Sequence, residues 1–255
     1  MIIDGKALAR RRIQELRVER TAYGPLTLAL IVSSSDAVTK SYISIKRRIA
    51  RELDVSVVEY ATFDEVVHAD GIILQLPLPT SVNVDSERNR IVDFKDVDIL
   101  GDAAYAKFVT GEYPPPPVAR ALRTILQNYK IDVAKKTIAV VGHGRLVGLP
   151  SAELFQQLGS QVSVVEKGGD VQAAVKDADI IVMGAGTPGL LTPNMIKDGV
   201  IILDAGTSES SGRVVGDADP ACAHKASLFT PVPGGVGPVA VTEIFANLFD
   251  LKSKT

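Results

Sequence analysis

Apolar residues fall along this chain in short dense blocks, and the stretches between them carry helical spacing. Leu26–Val32 reads LTLALIV, an uncharged run of the kind a strand shows when both its faces are buried. Val55–Tyr60 and residues 70–74 are two further blocks of strand type. A helix is predicted between the first two, carrying Tyr42 and Lys46 and continuing to Leu53, with a turn at 33–36 before it. Ahead of everything, Asp4-Gly5-Lys6 introduces a helix through about Tyr23, which Gly24-Pro25 breaks. Strand, helix, strand, short link, strand predicts a parallel sheet. Residues 61–69 leave room for little helix, and Asp96-Val97-Asp98 lies in a stretch without readable period.

The alternation stops at Pro114-Pro115-Pro116-Pro117 and then restarts. Consecutive prolines make a rigid spacer, so this is the expected domain boundary. Beyond it the pattern predicts a helix at 118–129 and strands at 138–141, 162–165, 180–183 and 200–203. Pro150 is expected to open a helix and 171–178 to form another. Residues 229–238 are too rich in glycine and proline for regular structure, and 239–251 read as a closing apolar helix.

The strand at 138–141 runs into Gly142-His143-Gly144 and on to Gly148. A strand entering a glycine turn and a helix presents backbone N–H groups to a phosphate. The spacing is GxGxxxG, and any tight strand-to-helix turn favours glycine, so the string alone is not specific. Four successive strand ends carry more weight. Gly142-His143-Gly144, Glu166-Lys167-Gly168-Gly169, Gly184-Ala185-Gly186-Thr187-Pro188 and Asp204-Ala205-Gly206-Thr207 are all small or polar. In parallel sheets, ligands sit outside the carboxyl ends of the strands, so four such ends predict a dinucleotide site. Glu166 stands where a ribose-binding acid is expected; a solvated strand-end charge explains it equally well.

Composition narrows the classes. The 255 residues are 46% hydrophobic and 23% charged, as in an ordinary globular protein, with 28 basic against 30 acidic residues. That balance gives no reason to expect nucleic acid or a membrane surface as partner. The chain has no bilayer-length apolar run, and Met1-Ile2-Ile3 meets Asp4 at once, so no signal peptide is expected and the compartment is expected to be cytoplasmic. Cys222 is the only cysteine, which excludes an internal disulfide and fits a reducing compartment. His68, His143 and His224 are scattered without metal-ligand spacing, so no metal is expected.

Tyr42 and Lys46 are four apart and share a helix face. A Tyr-x-x-x-Lys pair suggests short-chain dehydrogenases, but there the pair follows the glycine loop, and here it precedes it. On spacing alone, with Lys46-Arg47-Arg48 in sequence, the pair reads as part of a solvated helix face.

Longer strings decide the matter. Tyr42 with Lys46, then Gln75-Leu76-Pro77-Leu78-Pro79, Asp96-Val97-Asp98, Val147-Gly148 with Pro150, and Thr230-Pro231-Val232-Pro233-Gly234-Gly235-Val236-Gly237-Pro238 occur in one order. Asp4-Gly5-Lys6 and Gly216-Asp217 with Asp219 join them. In this the chain resembles methylenetetrahydrofolate dehydrogenase/cyclohydrolase over nearly its whole length. The resemblance implies an α/β fold of two domains. Residues 1–117 and 238–255 would form a folate-binding catalytic domain whose final helix returns to it, and 118–237 a Rossmann-like NAD(P)-binding domain with a parallel sheet. It implies oxidation of 5,10-methylenetetrahydrofolate to the methenyl cation and hydrolysis of that cation to 10-formyltetrahydrofolate, in a homodimer. A dehydrogenase without the second step and a non-enzymatic folate- or nucleotide-binding relative are the alternatives.

The resemblance also assigns residues. Lys46, Tyr42 and Gln75 would be catalytic, and Tyr42, Gln75, Asp98 and Pro238 would bind substrate. The nucleotide would meet Gly142, His143, Gly144, Arg145, Leu146, Val147, Glu166, Lys167, Ala185, Gly186, Thr187, Gly206, Thr207, Thr230, Gly234, Gly235 and Val236. NADP is the expected cofactor and NAD the alternative, because Glu166 would repel a 2′-phosphate whereas His143, Arg145 and Lys167 would hold one. The chain departs from the family pattern at four places, one of them the short segment 61–69 between the second and third strands. Ile99 stands where the family has glycine, Pro116-Pro117-Val118-Ala119 replaces Pro-Cys-Thr-Pro, and Gly142-His143-Gly144 replaces Gly-Arg-Ser and so lacks a hydroxyl.

Overall fold

The computed structural model describes residues 1–33, 37–210 and 213–254. The turn expected at 33–36 therefore lies, beyond Ser33, outside the described residues. The chain divides into two compact units. One comprises Met1–Ala9 and Val118–Ala240, the other Arg10–Pro117 and Val241–Thr255.

In chain order the first elements are α1 (Gly5–Arg20), β1 (Leu26–Val32), α2 (Ala37–Glu52), β2 (Val55–Tyr60), β3 (Gly71–Gln75), α3 (Val84–Arg88) and α4 (Asp102–Val109). The three strands pair in parallel in the order β2-β1-β3. The apolar block LTLALIV forms the central strand, and the side chains of Leu28, Ala29 and Leu30 are sealed from solvent. Burial on both faces is why this strand shows no alternation. In the short link before β3, Phe63–Glu65 forms one 3₁₀ turn. The short helices α3 and α4 were not anticipated; α3 is five residues long with no buried residue, so no apolar stripe announces it.

The second series is α5 (Pro117–Asn128), β4 (Thr137–Val141), α6 (Gly148–Gln157), β5 (Gln161–Val165), α7 (Val171–Val175), β6 (Ile180–Met183), β7 (Ile201–Asp204), β8 (Ser208–Ser210), β9 (Arg213–Val215), β10 (Leu228–Phe229) and α8 (Val236–Lys252). Pro117 occupies the first position of α5, where a missing N–H costs nothing. Five strands pair in parallel in the order β10-β7-β6-β4-β5, while β8 and β9 form an antiparallel ribbon. All five carboxyl ends therefore lie along one edge. The order reverses between β4 and β6, which is where a doubly wound sheet opens its ligand crevice.

Several boundaries differ from expectation: the first helix ends at Arg20 and not near Tyr23, and the strand expected at 200–203 runs Ile201–Asp204. The helix after the glycine turn begins at Gly148 and not at Pro150, which occupies its third position. The helix expected at 171–178 ends at Val175. The glycine- and proline-rich loop is shorter than 229–238, since α8 already starts at Val236. Pro238 sits in the first turn of that helix, where no intrahelical N–H donor is required of it.

Candidate active site and nucleotide site

In the unit that contains β1–β3, Lys46 is carried on α2, facing the sheet and not solvent. It is 8% exposed, against the solvated charge run that its neighbours Arg47 and Arg48 suggest. Its Nζ donates to Gln75 Oε1 at 2.6 Å. Gln75 is the last residue of β3 and is itself buried. Its Nε2 donates to the Leu76 carbonyl at 2.7 Å, which fixes the amide so that its oxygen faces the lysine. The proline-braced string after β3 thus aims an acceptor at the amine.

Burial of the Lys46 ammonium holds its pKa below the ordinary lysine value, against the opposing attraction of Asp98. Asp98 is half-buried, and loss of water around its carboxyl raises its pKa against the pull of Lys46. The two groups are therefore electrostatic partners, each pushed by desolvation toward its neutral form. Tyr42 stands one turn before Lys46 and is exposed. The structure brings Lys46, Gln75 and Asp98 together; Tyr42 shares the helix but has its ring open to solvent.

Ile99 explains a departure from the family pattern. It has φ +52°, in the left-handed region that a β-branched residue rarely enters. Glycine meets no obstacle there. In this chain the Ile99 side chain is 1% exposed, so apolar burial offsets the backbone strain. The adjacent Asp96 is also buried and its Oδ2 accepts from the Gly101 N–H at 2.7 Å, which holds the turn bearing Asp98.

In the unit that contains β4–β10, glycines take the leading part. Gly142 follows β4 with φ +101°, and a Cβ on it would lie 2.4 Å from the Gly184 carbonyl oxygen. A Cβ on Gly148 would lie 1.9 Å from the Gly142 oxygen, and one on Gly184 would lie 2.4 Å from Val147. The turn after β4, the first residue of α6 and the turn after β6 thus meet backbone to backbone at the point where the strand order reverses. Such a cradle fits a dinucleotide lying across the strand ends. Around it, His143, Gly144, Leu146, Glu166, Lys167, Ala185, Gly186, Thr187 and Thr207 are exposed, and Arg145 and Val147 are half-buried. His143 Nδ1 lies 3.1 Å from Glu166 Oε1, which joins the ends of β4 and β5.

Other expected nucleotide residues are set deeper. The Thr230 side chain is fully buried, and its hydroxyl accepts from the Asp204 N–H at 2.7 Å. Gly206, Gly235 and Val236 are buried, and Gly234 is half-buried. Gly5 explains part of the loop's shape: its N–H donates to the Gly234 carbonyl, and a Cβ on it would lie 1.8 Å from the Gly235 oxygen. Pro238, expected to contact substrate, is half-buried in α8.

Two residues without an assigned role organise this edge. Asp204, at the end of β7, accepts from the N–H groups of Gly206 and Ala218 at 2.9 Å each. Desolvation pushes its pKa up to about 6, against the pull of those donors. Asp217 is fully buried and accepts from the N–H groups of Ala185, Gly186 and Thr187. The string Gly216-Asp217 marked the place, but its spacing says nothing of which loop the carboxylate serves.

Comparison with known proteins gives a consistent picture. Residues 116–255 match the family described as tetrahydrofolate dehydrogenase/cyclohydrolase, NAD(P)-binding domain. A bifunctional protein FolD from Methanospirillum hungatei is 33% identical, covering 98% of this chain and 97% of its own. Among solved structures, the bifunctional FolD methylenetetrahydrofolate dehydrogenase/cyclohydrolase of Campylobacter jejuni superposes with TM-score 0.92 at 28% identity, over 100% of this chain and 99% of that one. The Trypanosoma brucei dehydrogenase-cyclohydrolase, solved with NADP cofactor and inhibitor, gives TM-score 0.90 at 28% identity, over 100% of this chain and 97% of that one.

Proposed function

The chain belongs to the tetrahydrofolate dehydrogenase/cyclohydrolase family, and on that premise we propose how its residues divide the work. The enzyme oxidises 5,10-methylenetetrahydrofolate to the 5,10-methenyl form with NAD(P)⁺ and hydrolyses that form to 10-formyltetrahydrofolate. Residues 1–117 and 238–255 serve the folate and 118–237 the nucleotide. The observation that carries this division is the buried Lys46 amine held on Gln75 at 2.6 Å.

The nicotinamide, when bound, supplies the hydride acceptor. The methylene carbon is already activated by two flanking nitrogens, so the protein's task in oxidation is position. The cationic product needs no oxyanion hole. Hydrolysis needs a group that handles protons, and Lys46 is placed for it. Its depressed pKa provides neutral amine at a lower pH than an ordinary lysine would. Water adds to the methenyl carbon as its proton passes to the amine. The proton is then returned to the ring nitrogen as the carbon–nitrogen bond breaks, and the remaining hydroxyl proton leaves to solvent, so that the carbon becomes a formyl group on the other nitrogen. Gln75 orients the amine, Asp98 accepts from the pterin's N–H groups, and Tyr42 stacks on the folate.

For the cofactor we favour NADP. Glu166 carries the charge that would oppose a 2′-phosphate, and His143 stands against it at 3.1 Å. The backbone contacts of Gly142, Gly148 and Gly184 support phosphate binding at the turn after β4. The protein is read as a cytoplasmic homodimer. A single cysteine, Cys222, buried with its thiol pKa raised to about 11, suits a reducing compartment. No described helix is long and apolar enough to cross a membrane.

An absorbance assay tests the reading. Methenyltetrahydrofolate should form from the methylene substrate with NADP⁺ faster than with NAD⁺, and then decay. Absence of methenyl product with either nucleotide, from folded protein, defeats it.

A further inference from the structure

We infer that Asp217 is a positioning residue of the nucleotide site, one that fills from within the anion nest formed by the loop after β6. The inference rests on the dinucleotide reading given above. Successive N–H groups of a loop that enters the left-handed region converge on one point and bind anions. The loop after β6 has this form, with Gly186 at φ +66°. Its three consecutive donors are already engaged. Ala185 N–H and Gly186 N–H donate to Asp217 Oδ2 at 2.7 and 3.0 Å, and Thr187 N–H donates to Oδ1 at 2.7 Å. The Asp217 carbonyl also accepts from the Leu191 N–H at 3.1 Å, so one residue ties the loop near both ends.

The surroundings are shaped for this carboxylate. A Cβ on Gly206 would lie 2.2 Å from Asp217 Cγ, and a Cβ on Gly216 would lie 2.2 Å from Asp204 Oδ2. Each glycine leaves room for the other segment's aspartate. Asp204 in turn holds the N–H of Ala218, the residue after Asp217. The exposed residues 185–187 therefore rest on a buried lattice of two carboxylates.

The consequence is chemical. With its N–H groups committed and a carboxylate behind them, this loop does not receive phosphate. It meets the nucleotide with carbonyl groups and the Thr187 hydroxyl, which suit ribose hydroxyls and a carboxamide N–H₂ as donors. Phosphate recognition falls to the turn after β4.

Asp217→Asn tests this, because an amide of the same shape places an N–H₂ donor where an acceptor is needed. The nucleotide Kd, read by NADPH fluorescence, should weaken by about 10–100-fold, as should the nucleotide KM. The KM for the methylene substrate should stay within about twofold. A merely structural role would lower the active fraction and leave the nucleotide KM unchanged, and that result overturns the inference. If Asp217→Asn does not fold, Gly206→Ala displaces the carboxylate while keeping its charge. It should weaken NADPH binding in the same direction, and wild-type binding by it overturns the inference. Where both fold, the double variant should be no weaker than the worse single one. Failure of the wild-type protein to bind any nicotinamide nucleotide defeats the dinucleotide reading itself, whereas tight binding by wild type and variant alike defeats only the role of Asp217.

Discussion

The two units build their sites from opposite materials. In the unit containing β1–β3, side chains do the work: a lysine amine, a glutamine amide and an aspartate held where water is scarce. In the unit containing β4–β10, the backbone does it: glycines let two turns and the start of α6 approach until a single added carbon would collide. The first kind of site depends on residue identity and tolerates little chemical change. The second depends on the absence of side chains and tolerates little added bulk. Substitutions should therefore separate the two by kind as well as by place.

After loss of the lysine itself, the largest effect is expected at the amide that aims it. Gln75→Leu keeps the size but removes the acceptor at 2.6 Å. Methenyltetrahydrofolate hydrolysis should fall about 10²-fold, measured by the decay of methenyl absorbance. An unchanged rate would mean that the amide only fills space. Next comes Ile99→Gly, which restores the family's residue. Release of left-handed strain returns about 1–2 kcal/mol, while loss of the buried side chain costs about 2–5 kcal/mol. The net expectation is a protein less stable by roughly 2 kcal/mol, read from the urea midpoint. A more stable variant would show that strain outweighs burial at this turn.

Smaller effects belong to the backbone site. Gly148→Ala would place a carbon 1.9 Å from the Gly142 oxygen, an obstacle of main chain that cannot swing aside. NADPH binding should weaken about tenfold, since the turn must open to admit the methyl group. Binding at the wild-type level would show that the turn yields freely. Smallest of all, Glu166→Gln should raise kcat/KM for NADP⁺ relative to NAD⁺ by about threefold, because both Glu166 and its partner His143 are exposed and water screens their charges. A ratio that moves toward NAD⁺ would mean that Glu166 does not face the 2′ position.

The contrast also governs how much could be seen beforehand. Buried strands announced themselves: LTLALIV became the central strand β1, and the small or polar ends of β4, β5, β6 and β7 came to lie on one edge. Parallel pairing followed from the alternation of element types. Lys46 was legible only through the longer strings around it, because α2 presents both its charged neighbours and its buried amine, and spacing does not say which face is inside. The short helices α3 and α4 and the β8–β9 ribbon lacked any apolar period to declare them. Asp204 and Asp217 were out of reach for another reason. Their partners are backbone N–H groups, which every residue except proline carries, so no residue type marks the far end of the bond. Only the paired glycines, Gly206 against Asp217 and Gly216 against Asp204, leave a trace of those contacts in the sequence.

The central claim is that one buried amine performs the hydrolytic step, and its pH dependence follows from its surroundings. Burial disfavours the ammonium, so the folded pKa lies below the ordinary 10.5 and the neutral amine is populated at lower pH. Wild-type hydrolysis should rise with pH through that ionisation, with its midpoint below the ordinary 10.5. The decisive measurement is the progress curve of Lys46→Met with methylene substrate and NADP⁺. Methenyl product should still form and then persist, with hydrolysis reduced about 10²–10⁴-fold and the rising pH limb gone. Decay of the methenyl form at the wild-type rate, with the wild-type pH profile, would contradict the account.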